Sequence, residues 1–337
     1  MATAHAIRAT DIAAAHIEFQ GEAVVLGGVP GTVLSLLNTQ AFPMSAPPSI
    51  RTVSDYKGMK ITFMDGWFCF CWFFNDNQTD GHGRPIPSAR VLLLQREPVG
   101  RGARQLLDYQ RLLANHDLRT ATHEQVVAAV QRMHDGAPAA GSIELARPRS
   151  FHRMALSKAL ARVTRHKQLV LCVPERERHL EYLQPLFQLA PMTVLEKTSW
   201  CSYAFSTGDR HEDIVVVQGA VPRTPRPSWK SRLLRVFSGS RDDEGDATLD
   251  VTNARMRGGR PGHKNERFLR VLATEYVQAS RHGNGKGVRR RALLSSLLER
   301  EAREGPVDPI QAIPPELRDP ASKAYVKRLV KTAREAR

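Results

Sequence analysis

A glycine-rich polar loop carries the closest grouping of chemically distinct side chains in this sequence. Asp80, His82 and Arg84 are separated by single glycines and lie between two apolar segments. This spacing lets a carboxylate, an imidazole and a guanidinium converge at the tip of a hairpin, where binding residues are common. The alternative is that the glycines only turn the chain and leave Arg84 in solvent. We predict a ligand or partner contact at these three residues, in preference to a catalytic site.

Basic residues near the end of the chain suggest contact with a polyanion. Residues 255–337 hold 20 Lys and Arg against nine Asp and Glu, a net charge of +11, whereas residues 1–218 have a net charge of +3. Such asymmetry is typical of chains that meet nucleic acid, an acidic membrane surface or an acidic protein. The candidate polyanion-binding residues are Arg255, Arg257, Arg260, Lys264, Arg289, Arg290, Arg291, Lys323, Lys327, Lys331 and Arg334.

The last four of these candidates have the spacing of one helix face. Lys323, Lys327, Lys331 and Arg334 follow one another at steps of four, four and three residues. Unpaired like charges four residues apart cost a helix about 0.2–0.5 kcal/mol each, so a negatively charged partner would relieve the repulsion. A face solvated by water is the alternative. No helix-turn-helix, zinc-finger or aromatic RNA-binding signature accompanies these residues, so nothing indicates sequence-specific recognition.

Signatures of nucleotide, metal and nucleophile chemistry are missing from the sequence. The phosphate-loop and dinucleotide-binding patterns do not occur, and Gly27-Gly28-Val29-Pro30-Gly31 is interpreted as a β-turn. The 12 histidines are dispersed, without a Cys or His knuckle for zinc. We therefore predict no catalytic residue, no metal ligand and no cofactor.

The four cysteines indicate reduced, buried thiols. Cys69, Cys71, Cys172 and Cys201 lie in apolar, strand-like runs of a long chain, which is not the pattern of a disulfide framework. The first residues lack the apolar core of a signal peptide, and no run approaches 18 apolar residues. We expect a cytoplasmic protein without a membrane span.

Apolar runs and amphipathic stretches over residues 1–218 predict a mixed α/β body. The aromatic run 67–74 and the run 90–95 form a predicted hairpin of strands buried on both faces. Thr122 and Gln125 form a predicted capping box at the start of a helix. Further helices are predicted at 103–115, 152–166 and 175–189, and further strands at 17–19, 23–26, 60–63, 168–173, 199–205 and 213–218. The fold class is predicted as α+β, a mixed sheet with flanking helices.

Two more regions follow the body. Residues 219–263 are rich in Pro, Gly and acidic residues and are predicted as a linker. Residues 264–337 are predicted as a basic, all-helical region with helices at 265–281 and 287–304. A last helix is predicted to begin at Asp319-Pro320, an N-cap followed by proline at the first helical position.

One family resemblance is carried by the predicted body. A strand ending in Phe73-Phe74, a turn Asp80-Gly81-x-Gly83-Arg84, and the strand Val91-Leu92-Leu93-Leu94 occur in this order. With the helix opened by Pro174 and the strand at 199–205, this arrangement resembles the N-terminal region of bacterial GTPase-associated proteins. The resemblance covers about residues 15–218. It implies an adaptor or effector of a bacterial conflict (antiphage defence) or signalling system, with a GTPase or other NTPase as its partner.

Two hypotheses follow from the sequence. The first is a non-enzymatic adaptor whose body binds a protein partner, possibly an NTPase. The second is a nucleic-acid-binding protein whose C-terminal helices hold DNA or RNA phosphates without sequence preference. An enzyme with a site assembled only in space is a third hypothesis of lower weight.

Overall fold

A computed structural model describes residues 7–18, 21–42, 57–79, 85–100, 105–135, 153–174, 178–204, 213–218, 247–257, 264–280 and 285–335. The strands in this part of the chain are β1 (Ile12–Glu18), β2 (Ala23–Leu26), β3 (Lys57–Met64), β4 (Trp67–Thr79), β5 (Pro85–Gln95), β6 (Leu169–Val173), β7 (Trp200–Ala204), β8 (Ile214–Gln218), β9 (Ala247–Asp250) and β10 (Arg255–Arg257). The helices are α1 (Gly31–Gln40), α2 (Arg96–Gly100), α3 (Leu106–Asn115), α4 (His123–Asp135), α5 (Arg153–Val163), α6 (His179–Leu189), α7 (Met192–Lys197), α8 (Lys264–Ala279), α9 (Gly285–Glu304) and α10 (Pro320–Glu335).

The ten strands form one mixed sheet in the order β10-β9-β6-β8-β7-β3-β4-β5-β1-β2. From β7 through β3, β4, β5 and β1 to β2, each neighbouring pair is antiparallel. From β9 through β6 and β8 to β7, the pairs are parallel. The predicted α+β class, with a mixed sheet and flanking helices, is confirmed, and so is the hairpin of β4 and β5.

The central strand β4 separates two hydrophobic clusters. Because side chains alternate along a strand, Phe68 and Phe70 enter the large cluster on one face, while Cys69 and Cys71 enter a smaller cluster on the other. The smaller cluster is covered by α1, a helix that the sequence analysis did not predict. This burial on both faces explains why the whole run from Trp67 is apolar.

The sheet extends into the predicted linker. Strand β9 pairs in parallel with β6, and β10 pairs antiparallel with β9. The linker prediction is therefore wrong for residues 247–257. The sequence pattern of strand β9 was weak because the strand has only four residues, of which Ala247 and Leu249 are buried. Such a short strand does not stand out among turn-forming residues.

The C-terminal helices share their core with the sheet. The helices α8, α9 and α10 are present, as predicted from the sequence. Leu272 of α8, Leu294 of α9 and Leu329 of α10 belong to the same hydrophobic cluster as Phe70 of β4. Helix α8 packs against α5, and α9 contacts α7. The basic helical region is therefore continuous with the body through its core.

Two predicted helix starts have the expected hydrogen bonds. The Thr122 backbone N–H donates to Gln125 Oε1 at 2.9 Å, and the Gln125 N–H donates to Thr122 Oγ1 at 3.3 Å. At α10, the Ser322 N–H donates to Asp319 Oδ1 at 2.7 Å. Both caps satisfy backbone groups that have no partner inside the helix.

Candidate polyanion-binding surfaces

Helix α10 presents four cations on one exposed face. Lys323, Lys327, Lys331 and Arg334, here named the α10 basic face, are all exposed. At 3.6 residues per turn they fall within an arc of about 80°. The residues of α10 that are buried in the core are Ser322, Val326, Leu329 and Ala333. Packing of the opposite side of α10 therefore fixes the orientation of the basic face.

The α10 basic face is only weakly neutralised. In the part of the chain that the structure describes, its ion pair joins Lys331 Nζ to Glu335 Oε1 across 3.8 Å, and both side chains are largely exposed. Exposed pairs of this kind contribute little to stability and compete poorly with a stronger anion. Lys327, Lys331 and Arg334 also line a shallow depression with Asp308 and Ile310. The face can therefore meet phosphates from solvent.

Arg290, another predicted polyanion-binding residue, contacts two other helices of the helical region. Arg290 of α9 forms an ion pair with Glu275 of α8, and its Nε donates to Tyr325 Oη of α10 at 2.6 Å. The Tyr325 hydroxyl donates to Glu275 Oε2 at 2.7 Å, and the Arg290 guanidinium lies 4.6 Å from the Tyr325 ring centre. Burial and the neighbouring Glu275 carboxylate raise the pKa of Tyr325. This cluster joins three helices.

Arg289 is also paired. It forms an ion pair with Asp319, the N-cap of α10. Hydrogen bonds from the backbone of Ser322 are the main reason that the pKa of Asp319 is lowered, and Arg289 contributes. Because Arg289 and Arg290 already have acidic partners, they are weaker candidates for phosphate contact than the α10 basic face.

The remaining predicted site residues are spread over several places. Arg255 is exposed on β10, and Arg291 is half-buried on α9. Arg257 ends β10 and Lys264 begins α8. Arg260 and the loop residues Asp80, His82 and Arg84 lie outside the described residues. The predicted convergence of Asp80, His82 and Arg84 stays a prediction.

A second basic site was missed by the sequence analysis. It is a cleft between α5, α8 and β10, here named the α5–α8 cleft. Its charged lining consists of Lys158, Arg162, Arg165, Lys167, Arg270 and Glu266, and all six side chains are partly buried. Lys158, Arg162 and Arg165 are spaced by four and three residues, so a helical basic stripe was visible in the sequence. The near-balanced charge of residues 1–218 concealed it.

Hydrogen bonds and ion pairs hold the cations of the α5–α8 cleft. Lys158 Nζ donates to Ala254 O at 2.7 Å, and Arg162 Nε donates to Gln168 O at 2.8 Å. Lys167 Nζ lies 3.3 Å from Glu266 Oε1. Carbonyl acceptors fix the position of a cation without cancelling its charge. The Glu266 carboxylate also acts on the charge of Arg162, so it is shared between Arg162 and Lys167.

One of the lining cations, Arg165, belongs to a buried ion pair. Arg165 Nη2 is 2.6 Å from Glu301 Oε2, and the two side chains are 14% and 3% exposed. Burial raises the pKa of Glu301, and the Arg165 guanidinium opposes that rise. Burial likewise lowers the pKa of Arg162. Both pKa shifts arise because burial disfavours the charged form of the side chain.

The four cysteines are thiols outside disulfide bonds, and all four are buried, as predicted. Burial raises the pKa of Cys71 to about 12 and that of Cys172 to about 11, so both thiols are protonated at neutral pH. Within the described residues, no group of three or more His, Cys, Asp or Glu side chains is arranged to hold a metal ion.

Comparisons with known proteins do not assign this chain to a family: no family model matches it, and no curated protein matches it at a significant level. Among the described helices, none combines the length and the hydropathy required to cross a lipid bilayer.

Proposed function

We propose that this protein binds nucleic acid through the α10 basic face, by contacts to phosphates that do not depend on base sequence. The observation that carries the proposal is the exposure of Lys323, Lys327, Lys331 and Arg334 on one side of a helix whose other side is buried. Side chains of this kind contact the backbone of DNA or RNA and leave base edges unread.

The dimensions of the face suit a nucleic-acid backbone. From Lys323 to Arg334 the helix rises about 16 Å at 1.5 Å per residue. Successive phosphates on one strand of a duplex are separated by about 3.4 Å along its axis, so the face spans about five of them. Binding would release condensed counterions, which makes the affinity fall steeply with salt.

The test is fluorescence anisotropy with random-sequence duplex DNA, single-stranded DNA and RNA across a salt series. The variant Lys323→Ala/Lys327→Ala/Lys331→Ala/Arg334→Ala is expected to lose most of its affinity. The slope of log K against log salt should fall by about one for each phosphate contact removed. A matched variant removes four exposed cations of the body, Lys57, Arg111, Arg119 and Lys197. Equal losses in both variants, or undetectable binding by the wild type at low salt, would contradict the proposal.

A second candidate function is the adaptor role implied by the family resemblance, and one observation favours it. Strand β2 ends the sheet in the described part of the chain, and Val24 on this strand is 38% exposed. Leu36 on the adjoining helix α1 is 40% exposed. An edge strand with exposed apolar side chains can pair with an extended segment of a partner. We propose a protein segment, from a GTPase or other NTPase, as the occupant.

The adaptor proposal is tested with the purified NTPase encoded nearest to the gene, by co-elution in size-exclusion chromatography. Val24→Lys is expected to abolish a complex formed by the wild type, because a charge at the edge opposes strand pairing. Val288→Lys is the matched control, since Val288 is also exposed but lies on α9. A complex that survives Val24→Lys would exclude β2 as the binding site.

A further inference from the structure

The α10 basic face borders a depression that also has apolar side chains in its lining. This depression, here named the α10 depression, is lined by residues 308–310 and by one side of α10, and it holds about 500 Å³ of space that water can enter. Its cations are Lys327, Lys331 and Arg334 of the basic face. Its apolar lining consists of Pro309, Ile310 and Val330. Charge alone therefore does not describe this part of the surface.

The apolar side chains of the α10 depression are held in place while part of their surface faces solvent. Pro309, Ile310 and Val330 are each partly exposed. Ile310 and Val330 also pack against the large hydrophobic cluster, which fixes their positions. A ligand that covers the three side chains would remove apolar surface from water. This contribution does not depend on the release of counterions, whereas phosphate contacts do.

The cations and the apolar side chains are arranged side by side along α10. At about 100° per residue, Lys327, Lys331 and Arg334 lie within about 60° of one another and form a row along the helix axis. Val330 lies about 40° from Arg334, on the side toward the buried residues of α10 such as Val326. From Lys327 to Arg334 the row is about 10 Å long. An apolar strip therefore follows one edge of a row of positive charges.

A single strand of nucleic acid matches this arrangement. Its phosphates follow one edge, and its unpaired bases offer uncharged ring faces beside them, which proteins cover with apolar or aromatic side chains. In a duplex the ring faces are stacked on one another, and the grooves offer only base edges. A duplex can therefore meet the cations of the α10 depression but cannot cover its apolar lining.

Asp308 indicates how a nucleotide would be oriented in the α10 depression. This residue is exposed, and its Oδ1 accepts a hydrogen bond from the Ile310 backbone N–H at 2.9 Å. A carboxylate repels a phosphate, but it accepts a hydrogen bond from an N–H group on the edge of a base. Phosphates should therefore follow α10, with the base edge toward residues 308–310. Each common base has such an N–H group, so the contact agrees with binding that does not depend on sequence.

We propose that the α10 basic face prefers single-stranded nucleic acid to a duplex, because the α10 depression binds one unpaired base. Lys327, Lys331 and Arg334 contact the neighbouring phosphates, and Pro309, Ile310 and Val330 cover the base. This inference rests on the proposed nucleic-acid binding and adds the class of substrate.

The first experiment compares three probes of equal length by fluorescence anisotropy across a salt series. They are a mixed-sequence single-stranded DNA, the duplex of the same sequence, and a strand in which every base is replaced by an abasic site. The abasic strand keeps the phosphates, so its affinity isolates the contribution of the bases. We expect the single strand to bind about fivefold more tightly than the abasic strand. It should also exceed the duplex at high salt, where phosphate contacts contribute least.

The second experiment changes the apolar lining and leaves the charges in place. Val330→Gln is expected to weaken binding of the single strand by about fivefold, because a polar amide replaces apolar surface that the base covers. The affinities for the duplex and the abasic strand should stay within about twofold of the wild type. The salt slope should not change, since no phosphate contact is removed. Removing the base and changing Val330 should be non-additive, as expected for two groups in contact.

The matched control is Val288→Gln, which makes the same change at an exposed valine of α9 outside the depression. It should leave all three affinities within about twofold of the wild type. Circular dichroism and urea unfolding check that both variants are folded. If Val330→Gln does not fold, Ile310→Ser replaces it. The comparison of the single strand with the abasic strand needs no variant.

The outcomes separate this inference from the function on which it rests. Undetectable binding of every probe at low salt would contradict nucleic-acid binding itself. Tight binding of the duplex and the single strand, with equal losses in Val330→Gln, would overturn only the preference for a single strand. Equal affinities for the single strand and the abasic strand would do the same. A peptide of alternating Glu and Leu that binds more tightly than the single strand, and loses that affinity in Val330→Gln, would make the depression a site for acidic peptides instead.

Discussion

The α10 basic face and the α5–α8 cleft carry similar numbers of cations but hold them in opposite ways. On α10 the side chains are exposed, and water already screens the charges of Lys323, Lys327, Lys331 and Arg334. In the cleft the cations are partly buried and fixed by carbonyls or carboxylates. Water screens the charges of the α10 basic face, whereas the partly buried charges of the cleft need polar or acidic partners within the fold. The exposed charges of the α10 basic face should therefore respond more strongly to added salt than the partly buried charges of the cleft.

A third group of cations shows that basic residues alone do not define a binding surface. Arg289 and Arg290 lie in the most basic run of the sequence, yet each has an acidic partner on a neighbouring helix. Their partners, Asp319 and Glu275, are distant in the sequence, so only the folded chain brings the charges together. The location of acidic residues decides which cations stay available.

Glu301→Gln is expected to give the largest change in the free energy of unfolding, and this change distinguishes the α5–α8 cleft from the α10 basic face. This change leaves Arg165 in a partly buried place without a negative partner, and breaking buried pairs costs about 3–5 kcal/mol. Because burial also raises the pKa of Glu301, its removal relieves some desolvation. We therefore expect the free energy of unfolding to fall by about 2–3 kcal/mol. Urea unfolding measures this change.

The matched control for Glu301→Gln is Glu335→Gln, which removes the acidic partner of Lys331 on α10. An exposed pair should contribute no more than about 0.5 kcal/mol. Equal destabilisation by the two substitutions would contradict the distinction between a buried and a solvated basic region.

Local sequence signals predicted the elements that carry these sites. Strong periodicity placed α3, α4, α5, α8 and α9 within a few residues, and Asp319 marked the start of α10 through its short polar side chain. The continuous apolar run of β4 predicted burial on both faces. These signals arise within one turn or one strand, where neighbours in sequence are neighbours in space.

Features that depend on residues distant in the sequence could not be predicted from local patterns. The α5–α8 cleft needs α5 beside α8 and β10, more than ninety residues away, and no local pattern specifies that approach. Strand β9 is identified by its pairing with β6 and not by its four residues. The role of Arg290 depends on Glu275 and Tyr325 from two other helices. Tertiary contacts decided each of these cases.

An intermediate effect is expected from Glu275→Gln, which weakens the contact among α8, α9 and α10. The free energy of unfolding should fall by about 1 kcal/mol, because Arg290 and Tyr325 lose a charged acceptor at a partly exposed site. The released Arg290 charge should steepen the salt dependence of DNA binding. Urea unfolding and anisotropy measure the two results. Tyr325→Phe keeps the ring beside Arg290 and should leave the salt dependence unchanged; a steeper dependence there would show that the Arg290 charge is not the cause.

The smallest effect is expected from Lys327→Ala at the centre of the α10 basic face. Lys323 and Lys331 each lie four residues away, so removing the middle charge relieves repulsion, and alanine favours the helix. The free energy of unfolding should rise by about 0.3 kcal/mol, while the salt slope of nucleic-acid binding falls by about one. Arg162→Gln, a matched removal of one cation from the cleft, should leave that slope unchanged. A higher free energy of unfolding together with weaker nucleic-acid binding would show that Lys327 serves binding and not stability. A fall in both quantities would mean that the α10 basic face supports the fold itself.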